Sequence, residues 1–159
     1  MIDDFEAGSN VDWDYLSDQV MGGVSEGSAR LGRDENEAYA HMTGDVSTAN
    51  NGGFIQLRTS LKSGADKNTK GVFIKVRGNN QKYYIHLRTR GTMLPWQYYQ
   101  AGFDATEEWQ LVRLPFEAFE ASGSWLRNTP APTSIRSIGV VAYGRDHQAD
   151  IQISEIGFY

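Results

Sequence analysis

One twenty-residue stretch, Gly71 through Arg90, limits what this chain can become more than any other. In Gly71-Val72-Phe73-Ile74-Lys75-Val76-Arg77-Gly78 every second side chain is apolar. The alternation resumes after Asn79-Asn80 in Gln81-Lys82-Tyr83-Tyr84-Ile85-His86-Leu87-Arg88-Thr89-Arg90. Successive side chains of a strand point to opposite faces, so each half presents one apolar face. Asparagine tolerates φ > 0, and Asn79-Asn80 therefore reads as a two-residue hairpin turn. That turn pairs Val76 with Tyr83, Ile74 with Ile85 and Val72 with Leu87. The opposite face of the hairpin then carries Phe73, Lys75, Arg77, Tyr84, His86 and Arg88, cationic and aromatic. A loop of odd length would break the match, so the expectation rests on parity more than on turn type.

Further strands follow the same pattern. Phe54–Thr59 alternates after Asn50-Asn51-Gly52-Gly53, and Trp109–Leu114 stops at Pro115, which has no N–H for a ladder. Ile138–Tyr143 reads as a buried strand and Asp150–Tyr159 as a terminal one. Short helical pieces are expected at Trp13-Asp14-Tyr15-Leu16 and at Phe116-Glu117-Ala118-Phe119. Short strands, Gly-rich turns and no βαβ alternation predict an all-β fold, a β-sandwich or jelly roll. At 159 residues the chain is expected to form a single domain, 1–159, which can bury roughly 70% of its unfolded surface.

Charge and composition narrow the chemistry. Fifteen Lys+Arg against 20 Asp+Glu leave a net charge of −5, which argues against a nucleic-acid partner. Without cysteine there is no disulfide, thiolate metal site or thiol nucleophile. No apolar run approaches the ~18 residues of a membrane span. The acidic opening Met1-Ile2-Asp3-Asp4-Phe5-Glu6 lacks the apolar core of a signal peptide, so a cytoplasmic location is expected.

Gly23-Val24-Ser25-Glu26-Gly27 matches the Gly-x-Ser-x-Gly elbow of serine hydrolases. The surroundings lack the strand-turn-helix that the elbow needs, and Asp146-His147 are adjacent rather than facing. A tight turn with Ser25 bonded to backbone is the expected role. His41, His86 and His147 have no ligand spacing, so no transition metal is expected. Asp3, Asp4 and Glu6 could meet Asp150 and Glu155 in a Ca²⁺ site if the terminal strands pair; they read instead as solvated charge. No cofactor is expected. Arg58, Arg77, Arg88 and Arg90 with Lys75 either hold an anionic partner or balance carboxylates on neighbouring strands. In Thr92–Phe103, Trp96 reads as a contact residue and Phe103 as core.

Trp13-Asp14-Tyr15-Leu16-Ser17-Asp18-Gln19-Val20-Met21-Gly22-Gly23-Val24-Ser25-Glu26-Gly27 resembles the signature of the complex I intermediate-associated protein family, assembly factors for NADH:ubiquinone oxidoreductase. Gly44-Asp45-Val46-Ser47, Asn51-Gly52-Gly53-Phe54 with Arg58, Arg77-Gly78, Tyr84, the segment from Trp109 to Phe116 and a terminal Ile-x-x-Ile-x-Phe fit as well, so the likeness covers nearly the whole chain. The resemblance implies a galactose-binding-domain-like jelly roll without catalytic activity. It also implies a functional surface of Trp13, Asp18, Met21, Gly22, Gly23, Ser25, Asn51, Gly52, Gly53 and Arg58. Arg77, Arg88 and Trp96 join that set from the strand and loop readings. Asp18 could pair with Arg58 in a structural network, or both could face a partner. The expected function is a protein-binding domain that assists assembly of a respiratory complex; the alternative is a carbohydrate-binding module.

Overall fold

The computed structural model describes every residue except Gly8 and Asn10, and for Asn51 it describes the backbone alone. Alternating apolar positions build eleven strands among the described residues: β1 (Asp14–Ser17), β2 (Glu26–Arg33), β3 (Ala38–Val46), β4 (Phe54–Ser60), β5 (Gly71–Gly78), β6 (Gln81–Thr89), β7 (Tyr99–Ala105), β8 (Gln110–Pro115), β9 (Glu120–Ala121), β10 (Ile135–Tyr143) and β11 (His147–Phe158). They form a six-stranded sheet, ordered β1-β4-β10-β6-β7-β9, and a five-stranded sheet, ordered β2-β3-β11-β5-β8. Every pairing is antiparallel. The inner faces close over one core that includes Met42, Ile55, Val72, Ile74, Val76, Tyr83, Ile85, Leu87, Ile138, Val140, Ile151 and Ile153. Two antiparallel sheets packed face to face over one core make this an all-β jelly-roll sandwich.

The stretch from Gly71 to Arg90 behaves differently from the expected hairpin. β5 and β6 do not pair: β5 lies between β11 and β8 in one sheet, β6 between β10 and β7 in the other. Their apolar faces are both buried, yet they meet across the core instead of side by side. Parity fixes which side chains turn inward; it is silent on whether two strands exchange hydrogen bonds. What decides is where the turn finds partners. The Asn79-Asn80 arch, with Asn80 at φ 63°, takes them from other strands. Gly78 N–H donates to Thr106 O at 2.6 Å, Asn80 N–H to Ala105 O at 2.8 Å, and Asn79 Nδ2 to Gln148 O at 2.9 Å. Gly78 has to be glycine here, because a Cβ would sit 2.8 Å from that of Ala105 and 2.9 Å from Asp150 O.

Splitting the two strands also splits the expected cationic face. Phe73, Lys75 and Arg77 lie on the outer face of the five-stranded sheet, whereas Tyr84, His86 and Arg88 lie on that of the six-stranded sheet. The Trp13–Leu16 segment is another departure. From Asp14 on it is strand β1 against β4, because Tyr15 pairs with Leu57 and Ser17 with Ile55 along a sheet edge. Phe116–Ala118 is a single 3-10 turn. Asp3 is not solvated but 4% exposed, and it accepts from Phe5 N, Ser9 Oγ and Trp13 Nε1 at 2.8–2.9 Å.

The two sheets are clasped at the arch by Tyr83. Its hydroxyl donates to Asn79 Oδ1 at 2.6 Å and accepts from Asp150 N–H on β11 at 2.8 Å. Burial pushes its pKa up to about 12, so the proton stays on through ordinary alkaline conditions. Removing the hydroxyl in Tyr83→Phe leaves the part-buried Asp150 N–H without this acceptor and is expected to cost about 1–2 kcal/mol. Thermal unfolding should fall by roughly 3–6 °C. An unchanged melting temperature would show that the clasp contributes nothing.

Candidate functional site

Ser17 ends β1 and caps a 3-10 turn, Asp18–Met21, by accepting from Gln19 N–H at 3.2 Å. Gly22 closes that turn at φ 85°. The turn drives the Asp18 carboxylate inward until it is fully buried. There Oδ1 accepts Ser25 N–H at 2.9 Å, while Oδ2 accepts Ser25 Oγ at 2.5 Å, Gly53 N–H at 2.5 Å and Phe54 N–H at 3.2 Å. Burial alone would raise the carboxyl pKa; these hydrogen bonds to the ionised form outweigh it and hold it below the ordinary carboxylate value.

Two glycine pairs make room for this anion. A Cβ at Gly23 would lie 2.5 Å from Asp18 Cγ, and one at Gly52 would overlap Asp18 Oδ2. The Gly22-Gly23 and Gly52-Gly53 loops therefore lie against each other, around one carboxylate. Ser25 Oγ also accepts Ser47 N–H at 2.8 Å, and Gln19 Nε2 donates to Ser25 O at 2.9 Å. A third loop joins them: Asp146 Oδ1 accepts Thr48 N–H at 2.7 Å, and Gly144 N–H donates to Gly53 O at 2.8 Å. Ser25 is buried and its hydroxyl has Asp18 and Ser47 as hydrogen-bond partners, without a histidine among the described residues, so it has no arrangement for nucleophilic attack.

What this knot displays is apolar. Val20, Met21 and Val24 are 73%, 63% and 46% exposed on the turn that Asp18 pins. Val20 and Val24 escaped the sequence reading, although apolar side chains crowded around a glycine pair in a loop were a visible signal.

Arg58 is elsewhere. It stands four residues along β4 from Phe54, roughly 14 Å away at strand rise, beside Asp14 and Gly139 in the ladder. Of the two alternatives for Asp18 and Arg58, the direct pair does not form; backbone and hydroxyl donors occupy the carboxylate. Trp13 is partly buried, donating to Asp3 and packed 5.5 Å from the Phe5 ring. The Asn51 side chain lies outside the described residues. Arg77 is caged on the other sheet, 3.1 Å from Asp34, bonded to Gln152 and 4.6 Å above the Trp109 ring. Lys75 pairs with Glu37 beside it. Trp96 is 67% exposed on the loop after β6, which Arg88 Nη2 braces through Thr92 O and Leu94 O. Among the described residues no group of three His, Asp or Glu side chains is placed to hold a metal ion, and no helix is long and apolar enough to cross a membrane.

The outer face of the six-stranded sheet carries a second polar-aromatic cluster. His86 stacks on Tyr98 at 4.2 Å, meets Tyr143 edge-on at 5.8 Å and shares a 2.9 Å hydrogen bond between Nε2 and Gln100 Oε1. Burial, partly opposed by that bond, lowers its pKa to about 4, so the ring is neutral near pH 7.

A family model for Complex I intermediate-associated protein 30 (CIA30) matches residues 4–154. The chain belongs to the CIA30 family. The Asp18 knot and its apolar turn thus lie inside the CIA30 match. No curated protein sequence matches the chain. Among solved structures, the family 11 carbohydrate-binding module from Clostridium thermocellum, in complex with a β-1,3-1,4-mixed-linked tetrasaccharide, is similar at TM-score 0.76 and 16% identity, covering 98% of this chain and 92% of that one. The corresponding module of the cellulosomal cellulase Lic26A-Cel5E of the same organism gives the same TM-score and identity over 98% and 91%. A family 30 carbohydrate-binding module is similar at TM-score 0.60 and 11% identity, over 86% and 92%. At these identities the likeness concerns the fold.

Two predictions follow from this geometry. Asp18→Asn replaces an acceptor oxygen by a donor facing donors, and is expected to destabilise by about 3 kcal/mol or more in a denaturant titration. The second concerns pH. The folded His86 binds its proton only near pH 4, whereas the ring in the unfolded chain does so near its ordinary pKa of 6.5, so stability should fall as pH drops between those values. The loss approaches roughly 1.4 kcal/mol per pH unit from this one ring. His86→Gln should flatten the profile across that window. The Asp18 contribution is lost only lower, as pH falls through its depressed pKa.

Proposed function

We propose that this chain is a non-enzymatic protein-binding domain, residues 1–159, which assists assembly of a multisubunit complex in the cytoplasm in the manner of chaperone-like assembly factors for respiratory complex I. The observation that carries the reading is the exposed Val20-Met21-Val24 tip held on a buried charge. Apolar side chains fixed before contact lose little freedom on binding, and a compact cluster of them is the core an interface needs. Membership of the CIA30 family supports the complex. The inaccessible Ser25 supports a domain without catalysis.

A second reading has its own observation. The stacked His86 and Tyr98 with Tyr143 and Tyr84 line one sheet face in a fold shared with carbohydrate-binding modules, and aromatic faces stack on sugars. On this reading the ligand is a glycan.

Crosslinking and affinity recovery from the native cell, with wild-type protein beside Val20→Ser/Met21→Ser, separates the two. Exposed substitutions of this kind change stability by about 0.5 kcal/mol or less. The tip variant should therefore melt with wild type yet lose its partner. Equal recovery by both proteins would reject the tip as the contact. Retardation of the protein in gels cast with mixed-linked β-glucan, abolished by Tyr143→Ala, would favour the glycan reading instead.

A further inference from the structure

The end of the six-stranded sheet remote from the Asp18 knot holds an open pocket of about 590 Å³ whose lining includes Arg58, Arg88, Arg90 and Arg136 and no carboxylate. In a protein of net charge −5 this is a local reversal of sign. Arg58 and Arg88 reach over β10 from the strands on either side, whose ladder partners there are Gly139 and Ser137. Arg90 follows directly on the last residue of β6, Thr89, at the start of the turn beyond it. Arg136 arrives by a different device. The ladder between β10 and β6 shifts register between Ile135 and Ser137, and with Ile135 and Ile138 both in the core the extra residue turns outward with its neighbour. Bulges of this kind re-aim a side chain at the cost of a ladder step. Here the re-aimed side chain is a fourth guanidinium.

None of the four makes an ion pair among the described residues. The nearest carboxylate in the register, Asp14 opposite Arg58, makes no ion pair with it. Arg88 is held in place by two carbonyls through Nη2, which leaves Nε and Nη1 unengaged. Burial and the adjacent Arg58 charge both press on Arg88 to lose its proton, as expected of cations gathered without a counter-charge. Four cations kept together at the rim of a cavity repel one another, and an anion seated between them relieves that repulsion. Guanidinium groups take planar carboxylates and tetrahedral phosphates through paired N–H donors.

We propose that this pocket is a binding site for an oxyanion ligand that carries at least two carboxylate or phosphate groups. A single monoanion would leave most of the arginine charge unmatched. The pocket lining lacks an aromatic ring, so recognition is by charge rather than by sugar stacking. The site is separate from the apolar tip, and its test does not depend on the tip binding a partner.

Titration calorimetry with citrate, pyrophosphate and a hexaglutamate peptide, beside a neutral glucan oligosaccharide, tests it at low and at physiological ionic strength. Wild-type protein should bind at least one anionic probe saturably, one to one, more weakly as salt rises. Arg58→Gln/Arg136→Gln removes two cations that make no protein side-chain hydrogen bond, and should weaken binding about tenfold or more. The bound anion should also raise the wild-type melting temperature, and that rise should vanish in the double variant. Binding of citrate or pyrophosphate assigns the site to a free small polyanion; binding of the peptide alone assigns it to an acidic protein segment. Absence of saturable binding by all three anions, or binding undiminished in a double variant that melts normally, overturns the proposal. So does arginine-dependent binding of the neutral oligosaccharide alone.

Discussion

A buried carboxylate dictates the architecture at one end of this sandwich. An ionised aspartate without water is tolerable only when hydrogen-bond donors surround it, and Asp18 obtains them from residues 25, 53 and 54. Meeting that demand draws two loops, far apart in sequence, to within van der Waals contact. They can come so close because Gly23 and Gly52 carry no side chain. The strand pairing of β4 begins at Phe54 itself, opposite Tyr143, so the same carboxylate sets where the six-stranded sheet starts. The exposed valines and methionine gain their fixed position as a by-product. Asp18 and Ser25 shape the surface without reaching it.

The alternation pattern was a good guide to burial and a poor guide to partnership. Val72, Ile74, Val76, Tyr83, Ile85 and Leu87 are all interior, as their spacing requires. Their strands nevertheless belong to different sheets, because a two-residue turn can bridge two layers as well as two neighbours when Tyr83, Ala105 and Thr106 supply its hydrogen bonds. Those suppliers are tertiary, and no local window contains them. β1 was obscured for a similar reason. Its four residues have no alternation long enough to register, and the β4 edge makes them a strand. The motif around Asp18 was legible as a motif, and its two glycine loops as candidates for contact. The division of labour within it was not, since whether an aspartate points in or out depends on donors of which two, Gly53 and Phe54, arrive 35 and 36 residues later.

Arginine placement shows the same limit from another side. Spacing along one strand pair suggested a single cationic face. The structure distributes it: Arg77 is neutralised by Asp34 and stacked on Trp109 in one sheet, while Arg88 joins Arg58, Arg90 and Arg136 at the far end of the other. Arg136 enters that group only through an irregularity in the ladder of β10, which sequence periodicity treats as an error in phase. The six-stranded sheet thus presents an apolar tip at one end and a cationic hollow at the other, with the neutral His86 stack between them.

The central strand of the five-stranded sheet is also the one made last. β11 lies between β3 and β5, so neither has its inner neighbour until β11 exists. During synthesis the ribosome therefore releases β3 with β2, and β5 with β8, as two halves whose facing edges are open. Such edges are templates for pairing with other nascent chains, and closing them requires long-range contacts, across more than a hundred residues on the β3 side. Insertion of β11 acts as the final seam. A chain interrupted before His147 would carry most of its core residues and none of the strand that unites them, so its sheet edges stay open until β11 is in place.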